Sequence, residues 1–496
     1  MIRTSAIDID LSGLDHNLRV LRRIVGPRCG LCPILKADAY GLGAVPIAGR
    51  LARAGADMLA VYTPAQALEV LSAGLGCPVL ILMPVRELDE ALREGLAERR
   101  LHLTVADRGH LEDLIRAQGR SGAAIGVHLE VDTGMSRGGC RPDEVPAILE
   151  TIAASPALRL AGVFTQFVDA EGDVAATDRQ MAGLDRIVAV HAALIPSDCL
   201  IHAANTFATL RHRRYHRSLV RLGLAWAGYG AELLRGDPVL EEARHLRPII
   251  TWRSTIIQTK TIEAGTSVGY RSTWTATRPS RIGLVPVGYA DGYPMALGST
   301  SAKPRPACVG VLVDSPKGCQ RTGAAAQSEC RPGGAYGALK EATRSDAAER
   351  NPRRRTRASV GPEGRTERYG KPPGGPYGAL KRKQFVPVVG AVNMDQITID
   401  LTDLDPPGGA GSRRWTGALV ELISPDPAAP NHLPALAAAA GTIPHEIMCR
   451  LNPRIDRIYT GRSGFGVQVA AGDSPWRGSG FGFEDRISAT EIVAAT

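Results

Sequence analysis

The chain has 496 residues, of which 44% are hydrophobic and 22% charged, with a formal net charge of +9. This length allows two to four domains with a large buried core. The sequence has no run of eighteen apolar residues and no signal-peptide pattern at its N-terminus. These features exclude an obvious membrane-spanning helix, and we expect a cytoplasmic protein.

The chain from residue 8 to residue 238 alternates short apolar runs with amphipathic stretches. Helices are predicted at Ser12–Val25, Pro64–Ser72 and Thr177–Ala192. Eight strands at a spacing of roughly 20–40 residues favour an α/β fold, a TIM-like (β/α)8 barrel. The predicted strands are Pro33–Lys36, Met58–Tyr62, Pro78–Met83, Leu101–Val105, Gly126–Val131, Ala161–Thr165, Cys199–Ala203 and the region around Val220–Ala225.

Residues 239–461 have a different pattern, in which strand-like runs alternate with turn residues. A mainly β domain is predicted here, interrupted by an insertion at 317–383, and residues 462–496 are predicted to be a flexible tail. The predicted strands are Ile249–Thr259, Arg281–Val287, Ala307–Val313, Val386–Val389, Gln396–Leu401 and Ala418–Leu422.

The positive charge is concentrated in residues 317–383. This segment has 5 Lys and 11 Arg against 6 acidic residues, a net charge of +10 that leaves −1 for the rest of the chain. It is rich in Gly, Pro and Ala, and it contains one stretch nearly twice, at Pro332–Lys340 and Pro373–Lys381. This composition predicts a disordered surface insertion, with a basic interaction arm as the alternative. Neither nucleic acid nor a membrane is the expected partner.

Lys36 stands at the end of the first predicted barrel strand and is followed by the run ADAYG. Burial disfavours a charged lysine, and a neutral amine can form a Schiff base with an aldehyde cofactor such as pyridoxal phosphate. The alternative is a lysine that only extends its charged end into water.

Cys29 and Cys32 form a lone C-x-x-C pair, so no metal site is predicted.

Other polar residues also follow predicted strands, where barrel enzymes place their sites. Asn205 and Thr206 follow the seventh strand, and Gly223 and Leu224 lie at the eighth. A hydroxyl beside closely approaching backbone N–H groups suits a phosphate, although ordinary loop residues are the alternative. Further candidates at strand ends are Tyr40, Glu130, Asp132, Arg137, Gln166, His202 and Arg221.

These motifs resemble those of the alanine racemase family, fold-type III pyridoxal-phosphate enzymes with a barrel and a β domain. The run KADAYG at 36–41 resembles the family's cofactor-lysine motif, and PVGYADGYP at 286–294 resembles its β-domain signature. Further resemblances are VDTGMSR at 131–137, HAANT at 202–206, VGY at 268–270 and GAVNMDQ at 390–396. The resemblance covers residues 5–315 and 385–460 and leaves out the insertion and the tail.

The resemblance implies racemisation of L- and D-alanine by two bases, Lys36 on one face of the substrate and Tyr270 on the other, to supply D-alanine for peptidoglycan. Tyr270 and Met394 would come from the partner subunit of a homodimer with shared active sites. Arg221 would face the pyridine nitrogen of the cofactor, and Arg137 its phenolic oxygen. Cofactor-binding residues are expected at Lys36, Tyr40, Arg137, Asn205, Thr206, Arg221, Gly223 and Leu224, and substrate-binding residues at Arg137 and Met394.

Four positions depart from the family pattern. Glu130 replaces a lysine that is carbamylated in many members, Gln166 a histidine, Ala391 an arginine and His445 a tyrosine. Because Glu130, Gln166 and His445 surround the expected pocket, they bear on substrate preference. The alternatives are therefore a broad-specificity amino-acid racemase and a non-catalytic homologue that binds pyridoxal phosphate. A nucleic-acid-associated protein that uses the arginine-rich segment is a third possibility.

Overall fold

Parallel strands and helices alternate along the N-terminal half of the chain. The computed structural model describes residues 4–118, 124–236, 238–300, 307–314, 381–404 and 415–461. The first strand, β1 (Ser5–Asp10), lies apart from the eight strands that follow it. Those eight are β2 (Gly30–Pro33), β3 (Leu59–Val61), β4 (Val79–Pro84), β5 (Leu101–Val105), β6 (Ile125–Glu130), β7 (Leu158–Phe164), β8 (Leu200–His202) and β9 (Leu219–Leu222).

These eight strands close into a barrel. Strands β3 to β8 form one parallel sheet, and β2 pairs with β9. The backbone N–H of Leu35 donates to Ala60 O at 2.8 Å, and that of Ser218 donates to Ile201 O at 2.9 Å, which joins the two sheets at both seams. The predicted α/β fold with an N-terminal barrel is confirmed.

Helices pack around the barrel and present apolar faces to it. The longest two are α1 (Leu11–Val25), whose first N–H groups are capped by Asp10, and α7 (Val174–Val190), capped by Asp173. Among the described residues, none of the helices has the length and hydrophobicity that a bilayer crossing requires. The others of the N-terminal half are α2 (Ala44–Arg53), α3 (Pro64–Leu71), α4 (Glu90–Ala97), α5 (Arg108–Gln118), α6 (Val145–Ala154) and α8 (Thr206–Arg211). The C-terminal half contributes α9 (Leu433–Ala440) and α10 (Pro444–Arg450).

A large mixed sheet dominates the C-terminal half, as the alternating pattern predicts. Its order within the described residues is β11-β14-β17-β16-β15-β18-β10-β1-β19, and β12 and β13 form a separate hairpin. The strands are β10 (Ile250–Thr255), β11 (Gln258–Ile262), β12 (Ser267–Val268), β13 (Trp274–Thr275), β14 (Ser280–Val285), β15 (Cys308–Asp314), β16 (Lys381–Val389), β17 (Ile397–Asp400), β18 (Leu419–Ile423) and β19 (Asp456–Thr460).

The N-terminal strand departs from the predicted domain division. The barrel is expected to start at residue 8, but 8–10 lie in β1, which pairs antiparallel with β10 and parallel with β19. Ile7 and Ile9 are fully buried there. Strand alternation is a local pattern that does not reveal which sheet a strand joins. Otherwise the division at 8–238 and 239–461 stays a prediction.

The end of the predicted insertion also differs. Strand β16 begins at Lys381 and pairs with β15 through Asp314↔Lys381 and Leu312↔Lys383, so 381–383 are part of the sheet. These three residues are basic, so their composition assigned them to the insertion. Strand formation depends on the partner strand as well as on residue type, and composition does not reveal that partner. The predicted disorder of 317–380 and of the tail at 462–496 lies outside the described residues.

Candidate active site

Lys36 lies on a left-handed turn just beyond the first barrel strand. Strand β2 ends at Pro33 rather than at Lys36, and the next turn runs from Lys36 to Gly41. The four residues 37–40 have φ between 51° and 57° and ψ between 40° and 54°. This conformation costs roughly 1–2 kcal/mol per non-glycine residue, so the surrounding structure must stabilise it.

The C-terminal sheet provides that stabilisation. The guanidinium group of Arg457 donates to Gly41 O at 2.8 and 3.0 Å, and the hydroxyl of Tyr459 donates to Leu42 O at 2.7 Å. Both residues belong to β19. The last strand of the C-terminal half therefore fixes the turn that carries Lys36.

The surroundings of Lys36 favour its neutral form. Burial is the largest cause that lowers the pKa of its amine, and the positive charges of Arg137 and Arg221 lower it further, against an opposing effect of Cys449. This is the direction expected for a desolvated lysine near other cations. The depressed pKa makes Lys36 a suitable nucleophile and proton acceptor.

Polar side chains surround Gly223 at the end of β9, in what we call the Gly223 recess. A Cβ on Gly223 would lie 3.1 Å from the hydroxyl of Tyr40, 3.8 Å from Thr206 Oγ1 and 3.7 Å from His445 Nε2. Thr206 Oγ1 also accepts a hydrogen bond from the backbone N–H of Gly223 at 2.9 Å. Two hydroxyls and an imidazole around a glycine suit a phosphate group, so the residues present fit the phosphate of the expected cofactor.

One predicted member of the phosphate site, Asn205, has another contact in the structure. The side-chain oxygen of Asn205 accepts the backbone N–H of Ala208 at 3.0 Å and caps α8, so Thr206 is the member of the pair that faces the recess. Leu224 is buried and begins a 3₁₀ turn. The Tyr40 ring stacks on Trp226 at 6.2 Å between centroids, a partner that no motif indicated.

Arg221 is buried and held rigidly. Its guanidinium group donates to the carbonyl of Thr165 at 2.7 Å, to Gln166 Oε1 at 3.1 Å and to Nδ1 of His202 at 3.0 Å. Burial lowers its pKa to about 10, so it remains a cation at neutral pH. The structure brings Lys36 and Arg221 within electrostatic range of each other, as the sequence predicts.

Glu130 and Gln166, two of the positions that differ from the family pattern, line one narrow cleft together with Arg137. This narrow cleft is lined by residues of the loop after β6 and by the two residues that follow β7. Burial raises the pKa of the Glu130 carboxyl, although Arg221 and Arg137 oppose that shift. Asp132 braces the loop by accepting the backbone N–H groups of residues 134, 135 and 136 at 2.8–3.1 Å.

Tyr270 and Met394 are not packed into the barrel site of their own chain. The Tyr270 side chain is 73% exposed and that of Met394 is 54% exposed. Tyr289 and Met295 are exposed as well, and the N–H of Tyr289 donates to Asn393 O at 3.0 Å, which holds the loops together. We call these four exposed side chains of the C-terminal half the tyrosine surface.

The sequence did not predict the hydrogen bonds that Arg457 and Tyr459 donate to the carbonyl oxygens of Gly41 and Leu42. The only signal for them is R-x-Y within an alternating strand, which is typical of many exposed strands. The pairing of β19 with β1 cannot be inferred from that pattern.

Comparison with known proteins identifies the family. A family model described as "Alanine racemase, N-terminal domain" matches residues 9–231, and "Alanine racemase, C-terminal domain" matches 249–310 and 374–459. The alanine racemase of Treponema pallidum is 30% identical over 472 residues, 91% of this chain and 98% of that protein. That of Laribacter hongkongensis is 31% identical over 93% of this chain and all of that protein. The chain belongs to the alanine racemase family, which confirms the resemblance.

Solved structures agree with this assignment. The alanine racemase of Streptomyces coelicolor matches with a TM-score of 0.68 and 25% identity, over 92% of this chain and 98% of that one. A structure of the Bartonella henselae enzyme with covalently bound pyridoxal phosphate matches with a TM-score of 0.65 and 22% identity, over 92% and 100%. The C-terminal family model matches residues up to 310 and again from 374, and residues 311–373 are unmatched by it.

Proposed function

We propose that this protein is a pyridoxal-phosphate-dependent alanine racemase that interconverts L- and D-alanine and supplies D-alanine for peptidoglycan. The observation that carries the proposal is the common location of Lys36, Arg221 and the Gly223 recess at the carboxyl ends of the barrel strands, in a chain of this family. The recess suits a phosphate, and the depressed pKa of Lys36 suits attachment of an aldehyde.

Lys36 has two tasks in this proposal. It anchors the cofactor, and its Nζ accepts or returns the α-proton on one face of the substrate. Pyridoxal phosphate, when bound, withdraws electrons from the substrate Cα and so makes that proton removable. Burial and the neighbouring arginines increase the neutral fraction of the amine, which is the form that accepts a proton.

Arg221 and Arg137 position the cofactor. Arg221 would contact the pyridine nitrogen, and a guanidinium group with a pKa near 10 stays protonated and only donates hydrogen bonds. As a donor at that position, Arg221 would keep the ring nitrogen unprotonated, and it would thereby limit electron withdrawal and disfavour side reactions such as transamination. Arg137 would contact the phenolic oxygen and the substrate. The phosphate contacts are assigned to Tyr40, Thr206, Gly223 and Leu224, with Asn205 supporting them as the helix cap.

The second base is assigned to Tyr270 of a second copy of this chain. Tyr270 and Met394 lie on the tyrosine surface, whose exposed aromatic and thioether side chains are the kind that a protein partner covers. A homodimer with two shared sites follows, in which each barrel receives Tyr270 and Met394 from its partner. An unperturbed tyrosine has a pKa of about 10, so a cationic neighbour in the dimer must favour its phenolate.

Mixed dimers test the shared site. Lys36→Ala and Tyr270→Phe homodimers should each lose most of their activity, on the order of 10²-fold or more for loss of a proton-transfer group. Random reassortment of the two variants gives heterodimers with one intact site, and about one quarter of wild-type activity should return. Mixing that restores no activity, although an affinity tag on one variant co-purifies the untagged other variant, would place both bases on one chain.

The activity itself is tested with purified protein, pyridoxal phosphate and L-alanine, with D-alanine measured by a chiral assay. Serine, lysine and arginine are assayed in parallel. The absorbance band of the Schiff base between protein and cofactor should disappear in Lys36→Ala together with the turnover, and both should persist in Lys260→Ala, an exposed lysine on β11. A preference for a long side chain would favour the broad-specificity racemase, and cofactor binding without turnover would favour the non-catalytic homologue.

A further inference from the structure

Three histidines lie in a hydrogen-bonded row inside the barrel, and the proposed reaction does not use them directly. His102 is on β5, His128 on β6 and His202 on β8. His102 Nδ1 lies 2.9 Å from His128 Nε2, and His128 Nδ1 lies 2.9 Å from His202 Nε2. His202 Nδ1 lies 3.0 Å from the guanidinium group of Arg221. We call these three side chains the histidine network.

The network runs from the site towards the amino ends of the strands. His202 is the last residue of β8, His128 lies inside β6, and His102 is the second residue of β5. His128 and His202 are fully buried, and His102 is 7% exposed. Burial lowers the pKa of all three imidazoles, that of His102 to about 4, so the rings are neutral at physiological pH.

Arg221 fixes the direction of the hydrogen bonds. A guanidinium N–H only donates, so Nδ1 of His202 must accept, and its proton lies on Nε2. That N–H donates to Nδ1 of His128, whose own Nε2–H donates to Nδ1 of His102. Each neutral ring has one donor and one acceptor, so a single assignment of tautomers satisfies every link.

The barrel is built to admit these rings. The strand register places His102 opposite Gly126 and His128 opposite Gly162. A Cβ on Gly126 would lie 2.9 Å from His102 Cδ2, and a Cβ on Gly162 would lie 2.2 Å from His128 Nδ1. Any larger residue at these two strand positions would displace the rings.

We propose that the histidine network positions the Arg221 guanidinium group, and that His102, two rings away from Arg221, is a positioning residue for the cofactor site. Without an acceptor at His102, the Nε2–H of His128 is left unpaired in the interior. The alternative is that His128 and His202 both move their proton from Nε2 to Nδ1. The Nδ1–H of His202 then points at the N–H of Arg221, and two donors face each other. The first outcome costs about as much as a buried unsatisfied donor, and the second removes the acceptor that holds the guanidinium group of Arg221. The reversal avoids the unpaired donor of His128, so we expect part of the population to adopt it and to hold Arg221 less firmly.

His102→Phe tests the proposal by removing the acceptor while keeping a ring in its place. His102→Asn should rescue it, because an amide oxygen can accept in place of Nδ1. His110→Phe is the matched control: His110 is a fully buried histidine that bonds to the carbonyl of Val85 at 2.8 Å, outside the network. All three variants are compared with the wild type as full-length protein.

The first readout is the dissociation constant for pyridoxal phosphate, from absorbance titration of the cofactor-free protein. We expect His102→Phe to bind about fivefold more weakly or worse, and to shift the absorbance of the bound cofactor. His102→Asn and His110→Phe should stay within about twofold of the wild type, even where they melt earlier. Equal weakening by His102→Phe and His110→Phe would overturn the proposal.

The second readout does not need the cofactor. Histidine ring ¹⁵N resonances of the cofactor-free protein should show Nδ1 bare and Nε2 protonated in all three rings at neutral pH. A protonated Nδ1 on His202 would contradict the assigned direction. The proposal rests on the proposed role of Arg221, but the two can fail separately. A wild-type protein that binds no pyridoxal phosphate would refute the function, while the resonances would still test the network.

Discussion

At the scale of single residues, the environment of Lys36 determines its chemistry. The same lysine at an ordinary exposed strand end would stay protonated, whereas burial and two nearby arginines lower its pKa here. Arg137 and Arg221 reach it from distant parts of the sequence, so their effect cannot be read from the Lys36 motif. The left-handed turn after Lys36 likewise depends on Arg457 and Tyr459, more than 400 residues later.

The Gly223 recess leads to a residue-scale prediction. Gly223→Ala places a methyl group 3.1 Å from the Tyr40 hydroxyl and fills the space assigned to the phosphate. We expect at least about a tenfold loss of affinity for pyridoxal phosphate and little change for pyridoxal, which has no phosphate. The dissociation constants for both compounds are measured by absorbance titration.

Gly76→Ala is the control for this substitution, since a Cβ on Gly76 would meet no atom within 4 Å. Equal losses of affinity for pyridoxal and pyridoxal phosphate in Gly223→Ala would mean that the recess does not hold the phosphate.

At the scale of elements, the sequence predicts most barrel strands to within a few residues. Leu101–Val105 is predicted with the observed bounds, and the strand predicted at Pro78–Met83 is observed at Val79–Pro84. These strands are short apolar runs bounded by polar residues, which is a local signal. The assignment of β1 to the C-terminal sheet and the start of β16 depend on partners far away in the chain, and no local pattern encodes them.

The boundary at β16 can be tested by shortening the chain. Asp314 and Lys381 are cross-strand partners, so a two-residue Asn-Gly turn can replace residues 315–380. Loop closure costs about 0.6 kcal/mol per doubling of length, so the shorter chain should be as stable as the original or more stable by up to about 3 kcal/mol. The thermal midpoint and the affinity for pyridoxal phosphate are the measurements.

A second deletion that extends to residue 383 serves as the control. It also removes the first three residues of β16 and the ion pair between Lys383 and the buried Glu421. We expect it to be destabilised by about 3 kcal/mol or more, because Glu421 loses its partner. Equal stability of the two deletions would contradict the assigned start of β16. Salt-sensitive nucleic-acid binding that disappears in the first deletion would support the basic-arm alternative.

At the scale of the whole molecule, buried neutral histidines make stability depend on pH. The pKa values of His102 and His445 are lowered from 6.5 to about 4, chiefly by burial, and those of His128 and His202 lie well below 6.5. Between about pH 6.5 and 4 the unfolded chain binds protons that the folded protein does not. Stability should therefore fall as the pH drops through this window, by about 1.4 kcal/mol per pH unit for each such histidine.

Thermal midpoints measured from pH 7 downward test this expectation. Asp38 and Glu130 have raised pKa values from burial and oppose the trend, because the folded protein takes up their protons first. His102→Asn should show a shallower fall in the midpoint than the wild type, and His245→Gln, at an exposed residue, should not. A midpoint that stays constant from about pH 6.5 to 5 would refute the expectation.

The sequence by itself determined the barrel, the C-terminal sheet, the family and the identity of Lys36, Arg221 and Gly223 as candidates, because periodicity and short motifs are local. Only the tertiary structure decided how those residues work. It brings Arg137 and Arg221 to Lys36, closes the recess around Gly223 with Tyr40, Thr206 and His445, and joins Arg221 to His202, His128 and His102. Charge interactions and hydrogen bonds depend on distances in space, and folding, not sequence spacing, sets those distances.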